Sequence, residues 1–365
     1  MQVLGASLFR AATNSRNRIS KISPTTTVLG IKLECAMRKI RMLLQLLTVS
    51  VVFPAALFPQ NTPTSSPQRE IAITIDDLPA AAAPGMTGTE IREMTIKLLA
   101  TLKQQQIPAV GFVNERKLYK LGEVDDRIQA LNQWLDAGLE LGNHTFQHTS
   151  LDNNSLSVWE EDVIRGESVT KILLAQHKMK MRYFRHPYLH TGRDLQTRRE
   201  AEAFLVARGY HIAPVTMDAW DWMFSGPYDD ARKRGDTAMQ QKLVDTYHDY
   251  TNQVFDYYEK LSRSLIGYEP RQILLLHGNW LEADHIGELL DLLRKRGYKF
   301  VTLEDALNDS AYSMPDDYVG PDGNGWIDHW AITRGQPPQN APVFPQWVID
   351  RANSLPRHPQ EPPAP

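Results

Sequence analysis

Strand-like runs that stop at a charged or ionisable residue alternate with amphipathic helices along most of this chain. That alternation constrains the fold more than any other feature. Glu70-Ile71-Ala72-Ile73-Thr74-Ile75 reads as a strand ending at Asp76-Asp77. Ala109 to Val113 reads as a second. Met181 to Phe184 runs into Arg185, Tyr210 to Val215 precedes Asp218, and Gln272 to Leu276 precedes His277. Leu139 to Asn143 leads into His144, and Tyr298 to Thr302 is a last strand. Between them lie helical patterns. Thr89 to Gln106 carries Ile91, Met94, Leu98, Leu99 and Leu102 on one face. Ile128, Leu131, Trp134 and Leu135 mark a second helix with Gly138 placed to cap it. Ser157-x-x-Glu160 reads as a capping box opening a third helix through Ala175. Leu195 to Arg208, ended by Gly209, and Glu282 to Arg296 complete the set. Short apolar strands alternating with helices of roughly 10–20 residues predict parallel βα units in a sheet or barrel. In that architecture chemistry gathers at the carboxyl ends of the strands.

Two regions stand outside the pattern. Residues 223–270 interrupt it with a long polar-aromatic helix, Thr237 to Arg263, bearing Tyr247, Tyr250, Phe255, Tyr257 and Tyr258. Residues 311–365 form a Pro/Gly-rich C-terminal tail. The amino-terminal 60 residues read as a leader. Arg38-Lys39-Ile40-Arg41 precedes the apolar run Met42 to Phe58, the pattern of a secretory signal or, if uncleaved, a membrane anchor. Met37, directly before the basic cluster, is a candidate start. Residues 61–69, rich in Pro, Ser, Thr and Gln, read as a linker to a catalytic domain over 70–310. Charge follows the same division: residues 1–41 carry +7 and the remainder −10. An acidic body excludes nucleic-acid binding, which needs clustered positive charge, and no feature implies a protein partner. The single cysteine, Cys35, lies in the leader, so the body has no disulfide, thiolate metal site or cysteine nucleophile.

A metal site in the body would then rest on histidines and carboxylates. His144-Thr145-Phe146-Gln147-His148 places two histidines at i and i+4, which on a helix share one face and converge on one ion. Asp77 supplies a carboxylate from a strand end, and two His plus one carboxylate with open positions is a catalytic metal set. Successive side chains on a strand diverge, so Asp77 is assigned to the ion and Asp76 to general-base work on the attacking water. Arg185, in Arg185-His186-Pro187-Tyr188, is placed to hold Asp76 ionised through a bidentate pair. A backbone N–H beyond Pro187 could face an oxyanion. In Asp218-Ala219-Trp220-Asp221-Trp222, the Trp residues suit a sugar ring or a pocket wall, and Asp221 suits the raising of a histidine pKa. His277 is a candidate general acid for a leaving amine. Singly, each segment also has a bland explanation: a turn, a capping pair, a surface loop or a satisfied core histidine.

These five segments, in this order, resemble the polysaccharide deacetylases, carbohydrate esterase family 4 with its NodB-homology domain. The resemblance spans about residues 70–305 and implies a distorted (β/α) barrel, here with a helical insertion. It implies a divalent metal, usually zinc with cobalt an alternative, on Asp77, His144 and His148. It also implies Asp76 as base, Arg185 as its partner, His277 as acid and Asp221 as the group tuning it. The Tyr188 N–H would complete an oxyanion hole, and Trp222 would wall the acetyl pocket. The expected activity is metal-dependent removal of N-acetyl groups from an exported amino-sugar polymer or oligomer, such as peptidoglycan, a chitin-like chain or an exopolysaccharide. The rivals are hydrolysis of other C–N amides or of glycan O-acetyl esters on the same fold, and a non-catalytic glycan-binding protein. One departure is local: the family's Thr-Phe-Asp-Asp-Gly reads Thr74-Ile75-Asp76-Asp77-Leu78 here.

Overall fold

The computed structural model describes residues 69–355. The leader, the candidate start Met37 and nearly all of the linker lie outside the described residues. Elements in chain order are β1 (Arg69–Leu78), α1 (Gly88–Gln104), β2 (Ala109–Val113), α2 (Val124–Asp136), β3 (Glu140–Asn143), α3 (Leu156–Arg165) and α4 (Thr170–Gln176). Then follow β4 (Tyr183–Phe184), α5 (Leu195–Ala207), β5 (His211–Ile212), β6 (Met217–Asp218), α6 (Asp221–Lys233), α7 (Thr237–Ile266) and β7 (Gln272–His277). The chain continues through α8 (Trp280–Lys295), β8 (Tyr298–Phe300), α9 (Leu303–Leu307), α10 (Trp326–Thr333) and α11 (Gln346–Ser354).

The strands form one curled parallel sheet in the order β5-β4-β3-β2-β1-β7-β6, the distorted (β/α) barrel of this fold class. β8 pairs with the start of β1, Arg69↔Tyr298 to Ile71↔Phe300, while β2 takes β1 from Ile73 onward. Ile71 also pairs with Gln272 of β7. β8 therefore shares the β2 edge of β1.

Alternation along the strands separates two environments. Ile71, Ile73 and Ile75 of β1, Ala109 and Val113 of β2, Met217 of β6, and Leu274 and Leu276 of β7 belong to the large outer core beneath α1, α2, α6, α7 and α8. Ala72, Val110, Phe112, Tyr183 and Ile273 point to the inner face, in a smaller cluster closed by Leu303 and Ala306 of α9. Side chains two positions further along the inner rows, Thr74 and then Asp76 on β1, reach the carboxyl rim of that face.

Three local readings of the sequence are corrected. The third helix is two helices: its N-cap is Ser155, which accepts from Val158 N, rather than Ser157, and α3 stops at Arg165. Gly166 caps its end, and a Cβ there would lie 2.8 Å from Thr145 C and 2.9 Å from Phe146 N, so the chain passes too close to the histidine loop for a side chain. Tyr210 to Val215 is not one strand but the short β5, with β6 following after a gap. Pro214 lies between them and has no N–H to give to a ladder. The segment 223–270, read as carrying one long helix, holds two: all but the first two residues of α6 and the whole of α7, both between β6 and β7.

The Pro/Gly-rich stretch after residue 310 contains α10 and α11. Trp326, Ile327 and Trp330 of α10 are buried against Leu189, Val215, Leu265 and Leu275. Trp326 N donates to Val215 O at 2.7 Å. Among the described residues no helix is long and apolar enough to cross a membrane.

Burial of this kind makes α10 part of one cooperative unit. Trp330→Ala is expected to cost about 3–5 kcal/mol while urea unfolding keeps a single transition. An early separate transition for the carboxyl-terminal segment would contradict that.

Candidate active site

Five strand ends deliver the ionisable groups. On β1, Ile75 pairs with Gly111 and Leu78 with Val113, so one extra residue of β1 is accommodated there as a bulge. Asp77 sits in it with φ 70. The bulge resolves the problem posed by two adjacent acids. Asp76 stays in the inner row, paired with His277 of β7. Asp77 would otherwise face the outer core and is turned to the rim instead. Leu78 then rejoins the outer row, buried over Gly111, where any Cβ would collide with its side chain. Leucine in place of the family's glycine is thus absorbed by packing.

Asp77, His144 and His148 offer one ligand atom each within 4.8 Å of one another. The histidines do not lie on a helix, which corrects the spacing argument. They follow β3 in a loop where Thr145 and His148 have φ 62 and 63. Hydrogen bonds hold that loop: Phe146 N to Asp162 O at 3.0 Å, Thr145 N to Asn143 Oδ1 at 2.7 Å and Gln147 N to Asp162 Oδ2 at 3.1 Å. The two rings still meet, centroids 4.8 Å apart.

The donor chemistry fits a divalent ion. His144 Nδ1 lies 2.8 Å from Arg185 O, which fixes that nitrogen as the N–H donor and leaves Nε2 as a lone pair. Burial, then the neighbouring His148, hold the His144 pKa well below the usual histidine value. Burial likewise lowers His148 to about 4. Asp77 is driven far below the ordinary carboxylate range, because Lys117 and His148 overcome the cost of its burial. Asp77 Oδ1 is buried, 2.9 Å from Lys117 Nζ and 3.8 Å from His148 Nε2. Two neutral imidazoles and an ionised carboxylate are the ligand states a metal requires.

Asp76 is buried beside this set, its Oδ2 3.7 Å from His144 Nε2. Arg185, fully buried, reaches Asp76 Oδ2 through Nη1 at 3.4 Å and gives Nη2 to Thr74 Oγ1 at 2.9 Å. The bidentate pair read from the sequence is therefore replaced by a split contact. Arg185 also cannot hold Asp76 at a low pKa: burial wins and pushes it up to about 6. Asp76 Oδ1 has no donor among the described residues.

His277 and Asp221 form a close pair across β7 and the start of α6. His277 Nδ1 lies 2.9 Å from Asp221 Oδ1, and His277 N donates to Asp221 Oδ2 at 2.9 Å. Burial alone would depress the imidazole, but Asp221, with Asp77 and Asp76 behind it, raises His277 to about 10.

Tyr188 lies in a 3-10 turn after β4 with φ 58, and its ring packs 4.2 Å from that of His148. Trp222 follows Asp221 in the first turn of α6 and stacks on Trp220 at 5.8 Å. His186 turns away to stack on Trp159 at 5.5 Å. His285 sits on α8 against Tyr228 and Glu288.

Sequence reasoning missed Lys117, Asn279 and Glu282 and gave Asp218, named as a strand end, no role. Lys117 Nζ lies 2.9 Å from Asp77 Oδ1. Asp218 is pushed by burial to about 6. Asn279 Nδ2 donates to Asp221 Oδ2 at 2.6 Å. Glu282, buried on α8, takes a bond from Tyr247 OH at 2.7 Å and is raised by burial to about 8. Asp218, at a strand end, carried a visible signal; Lys117, Asn279 and Glu282 sit in loop or helical patterns that give none.

Residues 64–204 match the polysaccharide deacetylase family model, the family that the ordered motifs resemble. Asp76, Asp77, His144, His148, Arg185 and Tyr188 fall inside that stretch, while Asp221, Trp222 and His277 follow it. Among solved structures, the chain is similar to a carbohydrate esterase family 4 pseudoenzyme from Bacillus anthracis (17% identity, 67% of each chain, TM-score 0.43). It is similar to a family 4 carbohydrate esterase from Bacillus subtilis (17% identity, 67% of this chain and 82% of that one, TM-score 0.41). It is also similar to one from Streptomyces lividans in complex with acetate (18% identity, 66% and 97%, TM-score 0.40). No curated protein matches the chain.

The His277–Asp221 pair carries a signed pH dependence. With His277 raised from 6.5 to about 10, its contribution to stability is complete below pH 6.5 and is lost as pH rises through 10. Asp221→Asn should therefore destabilise by about 3–5 kcal/mol near pH 6 and by clearly less near pH 10. Urea unfolding at the two pH values checks this; an equal penalty at both would show that His277 is not held as a cation.

Proposed function

From the match of residues 64–204 to the polysaccharide deacetylase family, we propose that this chain is an exported, metal-dependent hydrolase that removes N-acetyl groups from an amino-sugar polymer or oligomer. The observation that supports the reading most is the juxtaposition at one rim. An Asp77–His144–His148 donor set adjoins an under-bonded Asp76 on one side and an imidazolium, His277, on the next strand.

In this reading Asp77, His144 and His148 would hold the ion. When bound, it supplies Lewis acidity that polarises the acetyl carbonyl and acidifies the attacking water. Asp76 accepts the proton of that water. Its pKa of about 6 leaves it ionised at neutral pH yet basic enough to take a proton. Arg185 and Thr74 set its orientation. His277, kept protonated by Asp221, donates Nε2–H to the departing nitrogen, giving a free amine and acetate. The Tyr188 backbone N–H is assigned to the oxyanion, and Trp222 to the wall of the acetyl pocket. A non-catalytic glycan binder would need neither a raised carboxyl nor a buried imidazolium.

Acetate release from a panel of N-acetylglucosamine polymers and murein, with chelator and then zinc or cobalt re-addition, tests the reading. Release should be chelator-sensitive and restored by the ion. Asp76→Asn should reduce it by about 10²–10⁴-fold while metal content, measured on the same sample, is retained. Unchanged turnover in that variant would remove Asp76 from the role of base.

A further inference from the structure

Lys117 is a cation that the proposed reaction leaves without a task, and it stands against a proposed metal ligand. Its Nζ is 2.9 Å from Asp77 Oδ1 and donates to Asp77 O at 3.2 Å. An ammonium thus rests on the one carboxylate of the donor set. Lysine is a compact point charge, and half-buried charges are screened far less than exposed ones.

The placement is built rather than incidental. Lys117 belongs to the 3-10 turn Glu115–Leu118 that follows β2. Its N–H bonds Asn114 O at 3.1 Å, and its carbonyl accepts Arg127 Nη1 at 2.7 Å. Arg116 N bonds Phe146 O of the histidine loop at 2.8 Å. Glu115, fully buried, takes the N–H groups of Val169 and Thr170 at the start of α4. The turn is locked to the loop bearing His144 and His148 on one side and to α2 and α4 on the other. Among the described residues, Asp77 is the only carboxylate ion-paired with Lys117.

We infer that Lys117 is a resident competitor for the ion. It offsets the Asp77 charge while no ion is bound and opposes a divalent ion when one arrives, so the site binds metal more weakly than its three ligands alone would. This inference rests on the reading of Asp77, His144 and His148 as a metal site.

The opposite role has an opposite consequence. If Lys117 were only a brace for the left-handed backbone of Asp77, its removal would loosen a ligand and weaken binding. Calorimetric titration of the metal-free full chain with Zn²⁺ and with Co²⁺ separates the two. Lys117→Met, which keeps the apolar stem, should bind both ions about tenfold more tightly than the parent, and Lys117→Gln should move in the same direction. Lys117→Arg, which keeps the charge, should stay near the parent. Far-ultraviolet circular dichroism on each variant confirms that the fold is retained. Equal or weaker binding in the folded Met and Gln variants overturns the inference but leaves the metal site standing. Failure of the parent to bind either ion overturns both.

Discussion

Everything at the rim depends on how β1 presents two consecutive carboxylates to one cavity. A regular strand sends neighbours to opposite faces, so an unbroken β1 would bury Asp77 among Ile73, Ile75 and the helices behind them. The bulge inserts one residue between Ile75 and Leu78, and Asp77 takes φ 70. That conformation costs a non-glycine residue on the order of 1–3 kcal/mol, but the alternative is an unpaired charge in an apolar core, which costs more. The same irregularity restores the register of Leu78, so the outer core continues undisturbed to the end of the strand.

Burial then sets the charge states. Asp76, Asp218 and Asp221 sit near Arg185 and His277, with Glu282 close behind. Carboxylates outnumber cations. Burial, with mutual repulsion added, pushes Asp76 and Asp218 to about 6 and Glu282 to about 8. His277 moves the other way, to about 10, because Asp221 is in direct contact with it. Burial thus raises the base while the neighbouring carboxylates raise the acid, and the two reach complementary protonation states. A divalent ion on Asp77 would draw on that same surplus, which is why the location of Lys117 matters.

The sequence made the barrel legible because its signals are periodic. Strand and helix patterns repeat with little dependence on tertiary contacts, and β2 falls at Ala109–Val113 as read. Long-range constraints were harder to see. Gly166, just after Arg165, must be a glycine because it packs against Thr145, two segments with no local relation. The histidine pair looked helical from its spacing, yet positive φ at Thr145 and His148 brings the rings together from a loop. No spacing rule encodes that. Asp76, Asp77, Arg185 and His277 were visible because each ends a strand. Lys117 was not, because a lysine in a short polar turn has the pattern of any surface loop.

Arg185 shows why a two-residue strand suffices for β4. Its carbonyl accepts from His144 and fixes the tautomer of a proposed ligand. Its guanidinium reaches Asp76 and Thr74, and Thr74 in turn donates to Leu274 O of β7 at 2.6 Å. One residue thus links the ligand strand β3, the acid-bearing β1 and the imidazole-bearing β7. Asp221 does the corresponding work on the other side, using one oxygen for the His277 ring and the other for its backbone N–H and Asn279. Each proposed proton-transfer group is therefore oriented by a fully buried charged partner on another element. Replacing either partner would disturb orientation and protonation state together, because the same contact determines both.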